Sequence, residues 1–188
     1  MSASSPDPAA DFVAFMRAHQ DRVYSTAVRI LADSVQAEDV AQSVFLKAYE
    51  RFAELRDSPT AIGWLRAVAT NLAINHLKRY RRRFVFLGEG QRDDEEPEDL
   101  PELVMPDPVP TAVAGTQRHA LVEAALRGLP EHQRVPLVLY HFEELSYLQI
   151  AERLQISVAK VKTDLFRGRA ALLRTIAEQS ATSDLLAG

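Results

Sequence analysis

Residues 146–166 read Ser146-Tyr147-Leu148-Gln149-Ile150-Ala151-Glu152-Arg153-Leu154-Gln155-Ile156-Ser157-Val158-Ala159-Lys160-Val161-Lys162-Thr163-Asp164-Leu165-Phe166. Ile150, Leu154, Ile156, Val161 and Leu165 supply apolar spacing, and the small Ala151 lets two helices cross closely. Ser146 and Ser157 are suited to cap two helices. Gln155-Ile156 makes a short turn between them, although it lacks the glycine often found at the first of these positions. This is the layout of a helix-turn-helix. On its second helix Val158, Val161 and Leu165 are expected to face inward. Lys160, Thr163 and Arg167 share the opposite face, flanked by Lys162 and Arg169. Long donors there suit phosphates and base edges in a major groove. Asp164 sits beside that face and argues against it. The competing reading is a plain helical hairpin with a solvated basic face.

The same helical periodicity extends outward. Downstream of residue 115, helices are expected over about 116–127, 131–143, 146–153 and 157–178. Pro130 falls where a first-turn proline fits, and Pro136 is a candidate kink. Upstream, Phe12, Phe15, Met16, Val23, Ala27, Val28 and Leu31 recur at helical spacing over 12–31. A second helix runs over about 36–54, with Asp33 and Ser34 as N-cap candidates and Val40, Val44, Phe45, Ala48 and Phe52 on one side. Asp57-Ser58-Pro59-Thr60 breaks the pattern before a third helix over about 60–82. No strand-like alternation occurs, so the expected fold is all-α.

Between these blocks, residues 88–115 carry five of the ten prolines and the run Asp93-Asp94-Glu95-Glu96. The net charge of −4 hides a partition: +3 over 1–87, −8 over 88–115 and +2 over 116–180. Proline removes backbone donors and like charges repel, so this acidic strap reads as an extended linker between two small domains.

The third helix adds chemistry of its own. Trp64, Leu65, Val68, Leu72 and Leu77 read as its buried stripe. Asn71 and Asn75 lie four apart on one face, followed by His76. Five cations occupy the six positions 78–83, namely Lys78, Arg79, Arg81, Arg82 and Arg83. A helix dipole calls for one or two cations at its C-terminus, so this cluster points to a phosphate backbone. Trp64 reads as core, with base stacking as the alternative it shares with Tyr80. On the second helix Glu38, Asp39 and Gln42 form a small acidic patch able to seat basic residues of a protein partner.

No catalytic constellation accompanies these faces. There is no cysteine, which excludes disulfides and thiolate sites. The five histidines include no i, i+4 pair, and no phosphate-cradling glycine loop occurs. No apolar run approaches the roughly 20 residues of a membrane span. The N-terminus has neither a basic region nor an apolar core, so a cytoplasmic protein without signal peptide, membrane insertion, metal or cofactor is expected.

Three stretches, taken in order, resemble the extracytoplasmic-function (ECF) class of sigma-70-type RNA polymerase factors. Gln36 through Phe45 looks like the family's region 2.2, which docks on the polymerase β′ clamp. Trp64 through Arg83 looks like regions 2.3 and 2.4, which open and read the −10 promoter element. Leu129 through Arg134, with Leu145 through Ala170, looks like region 4, which reads the −35 element. The resemblance implies region 2 over 10–87, a linker over 88–115 and region 4 over 116–180. It implies Glu38, Asp39 and Gln42 as clamp contacts. It also implies that Trp64, Asn71, Asn75, Lys78, Arg79 and Arg81, with the loop about 53–62, hold −10 DNA. Lys160, Lys162, Thr163 and Arg167 would then hold −35 DNA. Core RNA polymerase (β′ clamp and β flap), promoter DNA and an anti-sigma factor are the implied partners. An autonomous dimeric helix-turn-helix regulator is the alternative.

The chain departs from the family pattern at Gln36 and Ser43, where acids are usual. Asn75 replaces a frequent aspartate, and Asp164 stands where an arginine is common. These changes imply a weakened clamp contact and an unusual promoter preference.

Overall fold

The computed structural model describes residues 8–86 and 116–186, with side chains over 9–80 and 120–178. The described residues form eight helices: α1 (Pro8–Leu31), α2 (Ser34–Glu50), α3 (Phe52–Leu55), α4 (Ala61–Phe86), α5 (Thr116–Gly128), α6 (Glu131–His141), α7 (Tyr147–Leu154) and α8 (Val158–Leu186). Among the described residues there is no strand. The chain divides into two compact units, Met1–Gly90 and Gln91–Gly188. The strap itself lies outside the described residues.

In the first unit α1, α2 and α4 pack against one another. Their shared core is Val23, Ala27 and Ile30 of α1, Ala37, Val40, Val44 and Ala48 of α2, and Leu65, Ala69 and Ala73 of α4. The many alanines let the three backbones approach closely. This corrects the expected stripe of α4. The buried line is Ala61, Leu65, Ala69 and Ala73 with Thr70 and Ile74, while Trp64, Val68, Leu72 and Leu77 are only half-buried along its edge. Alanine carries little weight in a hydrophobic pattern, yet it is the residue a close helix crossing requires.

Asp33 caps α2 as expected: the Gln36 N–H donates to its Oδ1 at 3.0 Å and the Gln36 amide donates to its Oδ2 at 3.2 Å. The preceding turn places Ala32 at φ 56°, a left-handed conformation unusual for a residue with a Cβ. The helix expected over 36–54 breaks at Arg51, and α3 turns back beneath Phe12 and Phe15. Phe52 meets these rings edge-on, at centroid distances of 5.1 and 5.6 Å.

In the second unit α8 is the central element, with α5, α6 and α7 all packed on it. Leu126, Leu137, Val138, Ile150, Val161 and Leu165 form its sealed core. Helix α6 continues through Pro136, which is buried. Arg134 is also buried, and its guanidinium donates to the Leu129 carbonyl at 2.7 Å, which ties the α5–α6 corner. Gly168 marks the crossing of α8 over α6, where a Cβ would stand 2.8 Å from Leu137 Cδ1.

The expected helix-turn-helix is α7 and α8. Ser146 and Gln149 form a reciprocal capping box, the Ser146 N–H donating to Gln149 Oε1 at 2.9 Å and Ser146 Oγ accepting from the Gln149 N–H at 3.3 Å. Gln155 takes the left-handed conformation (φ 60°, ψ 43°) that a glycine usually takes in such turns. Ser157 Oγ then accepts from the Lys160 N–H at 3.1 Å and starts α8.

Candidate polymerase-docking and nucleic-acid-binding faces

The first face lies on α2. Glu38, Asp39 and Gln42 are arrayed along this helix, Asp39 exposed and the other two lining the groove described below. They are interleaved with three large apolar side chains that the sequence pattern does not single out. Val35 is 68% exposed, Leu46 69% and Tyr49 61%. Spacings of three and four residues put the six on one stripe. Ser43 does not present a free hydroxyl there, because its Oγ donates to the Asp39 carbonyl at 2.9 Å. Beside the stripe, α1 and α2 enclose a groove of about 760 Å³ lined by Met16, Gln20 and Tyr24 from α1 and Glu38, Gln42 and Leu46 from α2. Its rim is acidic, with Asp21 on the α1 side and Glu38 on the α2 side. Apolar side chains left in water along an acidic groove suit a partner helix carrying apolar and basic residues.

The second face lies on α4. Gly63, Ala67, Asn71, Asn75 and Arg79 form an exposed ladder at four-residue spacing, with Tyr80 exposed beside it. Lys78 is half-buried. Arg81 lies within α4, but its side chain is outside the described residues. Trp64 is half-buried, and the Arg51 guanidinium covers its ring at 5.6 Å from the centroid. Glu54 in turn holds Arg51 at 2.6 Å. One ring face of Trp64 is thus covered by a cation, so stacking on a base is open only from elsewhere on the ring. The loop after α3 is tied by the Arg56–Asp57 pair at 2.9 Å and the Ser58–Thr60 hydroxyl contact at 2.9 Å.

The third face, on α8, differs most from expectation. Lys162 is exposed. Thr163 is not: it is 5% exposed, and its hydroxyl donates to the Ala159 carbonyl one turn back at 3.1 Å. It belongs to the packed side of the helix and cannot reach a base edge without unpacking. Asp164, expected beside the exposed face, is 1% exposed. Lys160 folds along its own helix, placing Nζ 2.9 Å from Asp164 Oδ1, although poorly aligned for a hydrogen bond. Burial raises the Asp164 pKa, with Lys160 opposing. Arg167 is half-buried.

Arg169, expected to flank the basic face, is also buried, at 4% exposure. Its Nε donates to His141 Nε2 at 3.2 Å, and its guanidinium covers the Tyr140 ring at 5.3 Å. Tyr140 stacks on Tyr147 of α7, 5.2 Å between centroids. This cluster joins α6, α7 and α8.

The Arg169 contact requires an unprotonated His141 Nε2. Burial first, and the Arg169 cation second, pull the His141 pKa from 6.5 down to about 4. The folded state therefore refuses a proton that the unfolded chain accepts. Stability is complete above the unfolded pKa and falls as pH drops through the window from 6.5 to about 4. Allowing for a ring that is only half-buried, the expected loss is about 1–2 kcal/mol. Urea melts of the C-terminal unit's transition near pH 7 and about pH 5 measure it. His141→Gln should remove most of the difference, and an equal difference in the variant would contradict this assignment.

Among the described residues no group of three histidine or acidic side chains is arranged to hold a metal ion. No described helix is long and apolar enough to cross a membrane.

The sigma-70 region 2 family profile matches residues 15–83, and the sigma-70 region 4 profile matches residues 119–172. The chain is 33% identical over 157 residues to the RNA polymerase sigma-H factor of Pseudomonas aeruginosa, covering 82% of this chain and 80% of the relative. It is 29% identical over 159 residues to the ECF RNA polymerase sigma factor SigW of Bacillus subtilis, covering 84% of each. Among solved structures, the sigma factor RpoE in complex with the anti-sigma factor NepR from Bartonella quintana is similar with a TM-score of 0.49 at 19% identity, covering 89% of this chain and 97% of that one. The chain belongs to the sigma-70 family of RNA polymerase factors. Within that family it is a sigma factor of the ECF type.

Proposed function

We propose that this chain binds core RNA polymerase through the α2 stripe, presents α4 to the opened −10 element and sets α8 against the −35 duplex. The observation that carries the proposal is the α2 face itself: Val35, Leu46 and Tyr49 stand in water beside Glu38, Asp39 and Gln42. Three large apolar side chains exposed along one stripe of a single helix mark a surface for a partner. The β′ clamp is the partner that fits region 2, and the β flap is the one expected at region 4. Asn71 and Asn75 supply amides for unpaired bases, and Lys78, Arg79 and Arg81 hold the backbone. On α8, Lys162 and Arg167 serve the −35 contact. Thr163 does not, for the reason given by its burial. The factor supplies recognition, with the chemistry left to polymerase in the cytoplasm. An anti-sigma factor covering the α2 stripe would compete directly with polymerase.

The test is co-elution of the full chain with bacterial core RNA polymerase on a sizing column, beside Glu38→Arg and Asp39→Arg. Co-elution that each reversal abolishes, while helix content is unchanged, is the expected result. No co-elution, with tight binding of the free chain to duplex DNA, would overturn the proposal in favour of an autonomous regulator.

A further inference from the structure

Lys160 opens α8 at its third residue, where the positive end of the helix dipole disfavours a cation. The order lysine then acid at i, i+4 is also the weaker orientation for a helix pair. Helix stability therefore does not account for the contact between Lys160 and Asp164. The two side chains nevertheless meet at 2.9 Å, with the carboxylate 2% exposed and the lysine 21%. His132 of α6 and Arg167 are the other charges close enough to act on this carboxylate.

We propose that Asp164 withholds Lys160 from DNA, lowering the sequence-independent attraction of α8 for phosphate. The proposal rests on the reading of α8 as the duplex-facing helix. Pulling the ammonium to a phosphate would leave a buried carboxylate with only His132 and Arg167 to offset it, which is unfavourable. A phosphate on the DNA surface offers only a salt-screened attraction in return. Lys160 therefore stays on Asp164. Lys162 is left as the exposed cation of the first two turns. A helix with fewer phosphate contacts loses affinity for every sequence equally, while base-edge contacts keep their value. Overall affinity falls, and the ratio between sequences is left to the base-edge contacts. Asp164 thus takes one cation, Lys160, from the DNA face without adding an exposed negative charge to it.

The experiment is binding of the full chain to a mixed-sequence DNA duplex by fluorescence anisotropy, from about 50 to about 200 mM KCl. Asp164→Asn keeps the shape and frees the ammonium. It should bind about 5- to 10-fold tighter at the low-salt end, with a log–log salt slope steeper by about 0.9. Lys160→Ala alone should change affinity by less than about 2-fold, because the cation is not on a phosphate. The double variant should return to the affinity of the unaltered chain. Lys162→Ala should weaken binding and flatten the slope by about 1.

If Lys160→Ala weakens binding several-fold with a flatter slope, Lys160 already serves a phosphate and the proposal falls. This arm decides even if Asp164→Asn fails to fold. A folded Asp164→Asn that binds no better, including the case where no variant binds at all, also overturns it. If Lys162→Ala is without effect while the unaltered chain binds, the reading of α8 as the DNA face fails instead, and the proposal with it.

Discussion

Gly168→Val should strongly destabilise the C-terminal unit while leaving the stability of the N-terminal unit unchanged. The expectation follows from how closely α8 crosses α6. A single Cβ at position 168 meets Leu137 Cδ1 at 2.8 Å and both Leu137 Cγ and the Gln133 carbonyl oxygen at 3.2 Å. Leu137 is 1% exposed and packed in the core of the unit. The carbonyl belongs to the backbone of α6 and moves only with the helix. Alanine gains about 1 kcal/mol of helix propensity and loses more to the clash, for a net cost of about 1–2 kcal/mol. Valine adds two γ-carbons beside the same carbonyl and should cost about 3 kcal/mol or more. A small domain holds only about 5–10 kcal/mol in total, so its melting temperature should fall by about 12–24 °C.

Gly63 supplies the control. It lies in α4, and a Cβ added there would meet nothing within 4 Å, so Gly63→Ala should raise stability by about 0.5–1 kcal/mol. Urea melts of the full chain followed by circular dichroism distinguish the two. Under the proposed function, Gly168→Val should weaken −35 duplex contact as temperature rises and keep co-elution with polymerase. A Gly168→Val chain that melts like the unaltered one would show that α6 and α8 do not cross this closely.

Most of the fold was legible because helical periodicity depends on large apolar residues, and these are placed regularly here. The caps were legible too: Asp33, Ser146 and Ser157 all bind the backbone N–H groups expected of them. What periodicity missed has three physical causes. In α4 the closest contact is made by Ala69 and Ala73, which carry little hydrophobic signal, so the expected stripe was displaced toward Trp64 and Val68. In α8 three helices pack on one, and the buried arc widens to include Thr163, Asp164, Gly168 and Arg169. Polar residues inside such an arc look like an exposed face until their partners are known. In α2 the reverse occurs: Val35, Leu46 and Tyr49 lie off the buried line of a helix that is already well supplied with apolar residues. A pattern that searches for burial has no place for apolar groups reserved for a partner. The candidate clamp residues were found from charge, and the apolar half of the same surface emerged only from geometry.

Leu46→Asp tests that apolar half, and its effect should fall on binding alone. Leu46 is 69% exposed in the free chain, so its removal forfeits little packing and should change stability by no more than about 0.5 kcal/mol. If the α2 stripe is where polymerase docks, the same side chain becomes buried on association. Losing a buried leucine costs about 1.5–3 kcal/mol. A carboxylate forced into the same apolar contact costs further, and the sign of its charge repeats that of Glu38 at the groove rim. The sum is about 3–4 kcal/mol, a weakening of about 100-fold or more in Kd for core polymerase. Leu46→Met keeps length and hydrophobicity and should bind within a few-fold of the unaltered chain. Fluorescence titration of labelled chain with core enzyme, beside a thermal melt of each variant, separates docking from folding. Unchanged affinity in a folded Leu46→Asp would remove Leu46 from the interface and leave the acidic residues to carry it. Loss of affinity in both variants would point to shape at this position, since methionine preserves the chemistry but not the branch. Loss in Asp with retention in Met is the outcome that makes the exposed apolar stripe of α2 a docking surface.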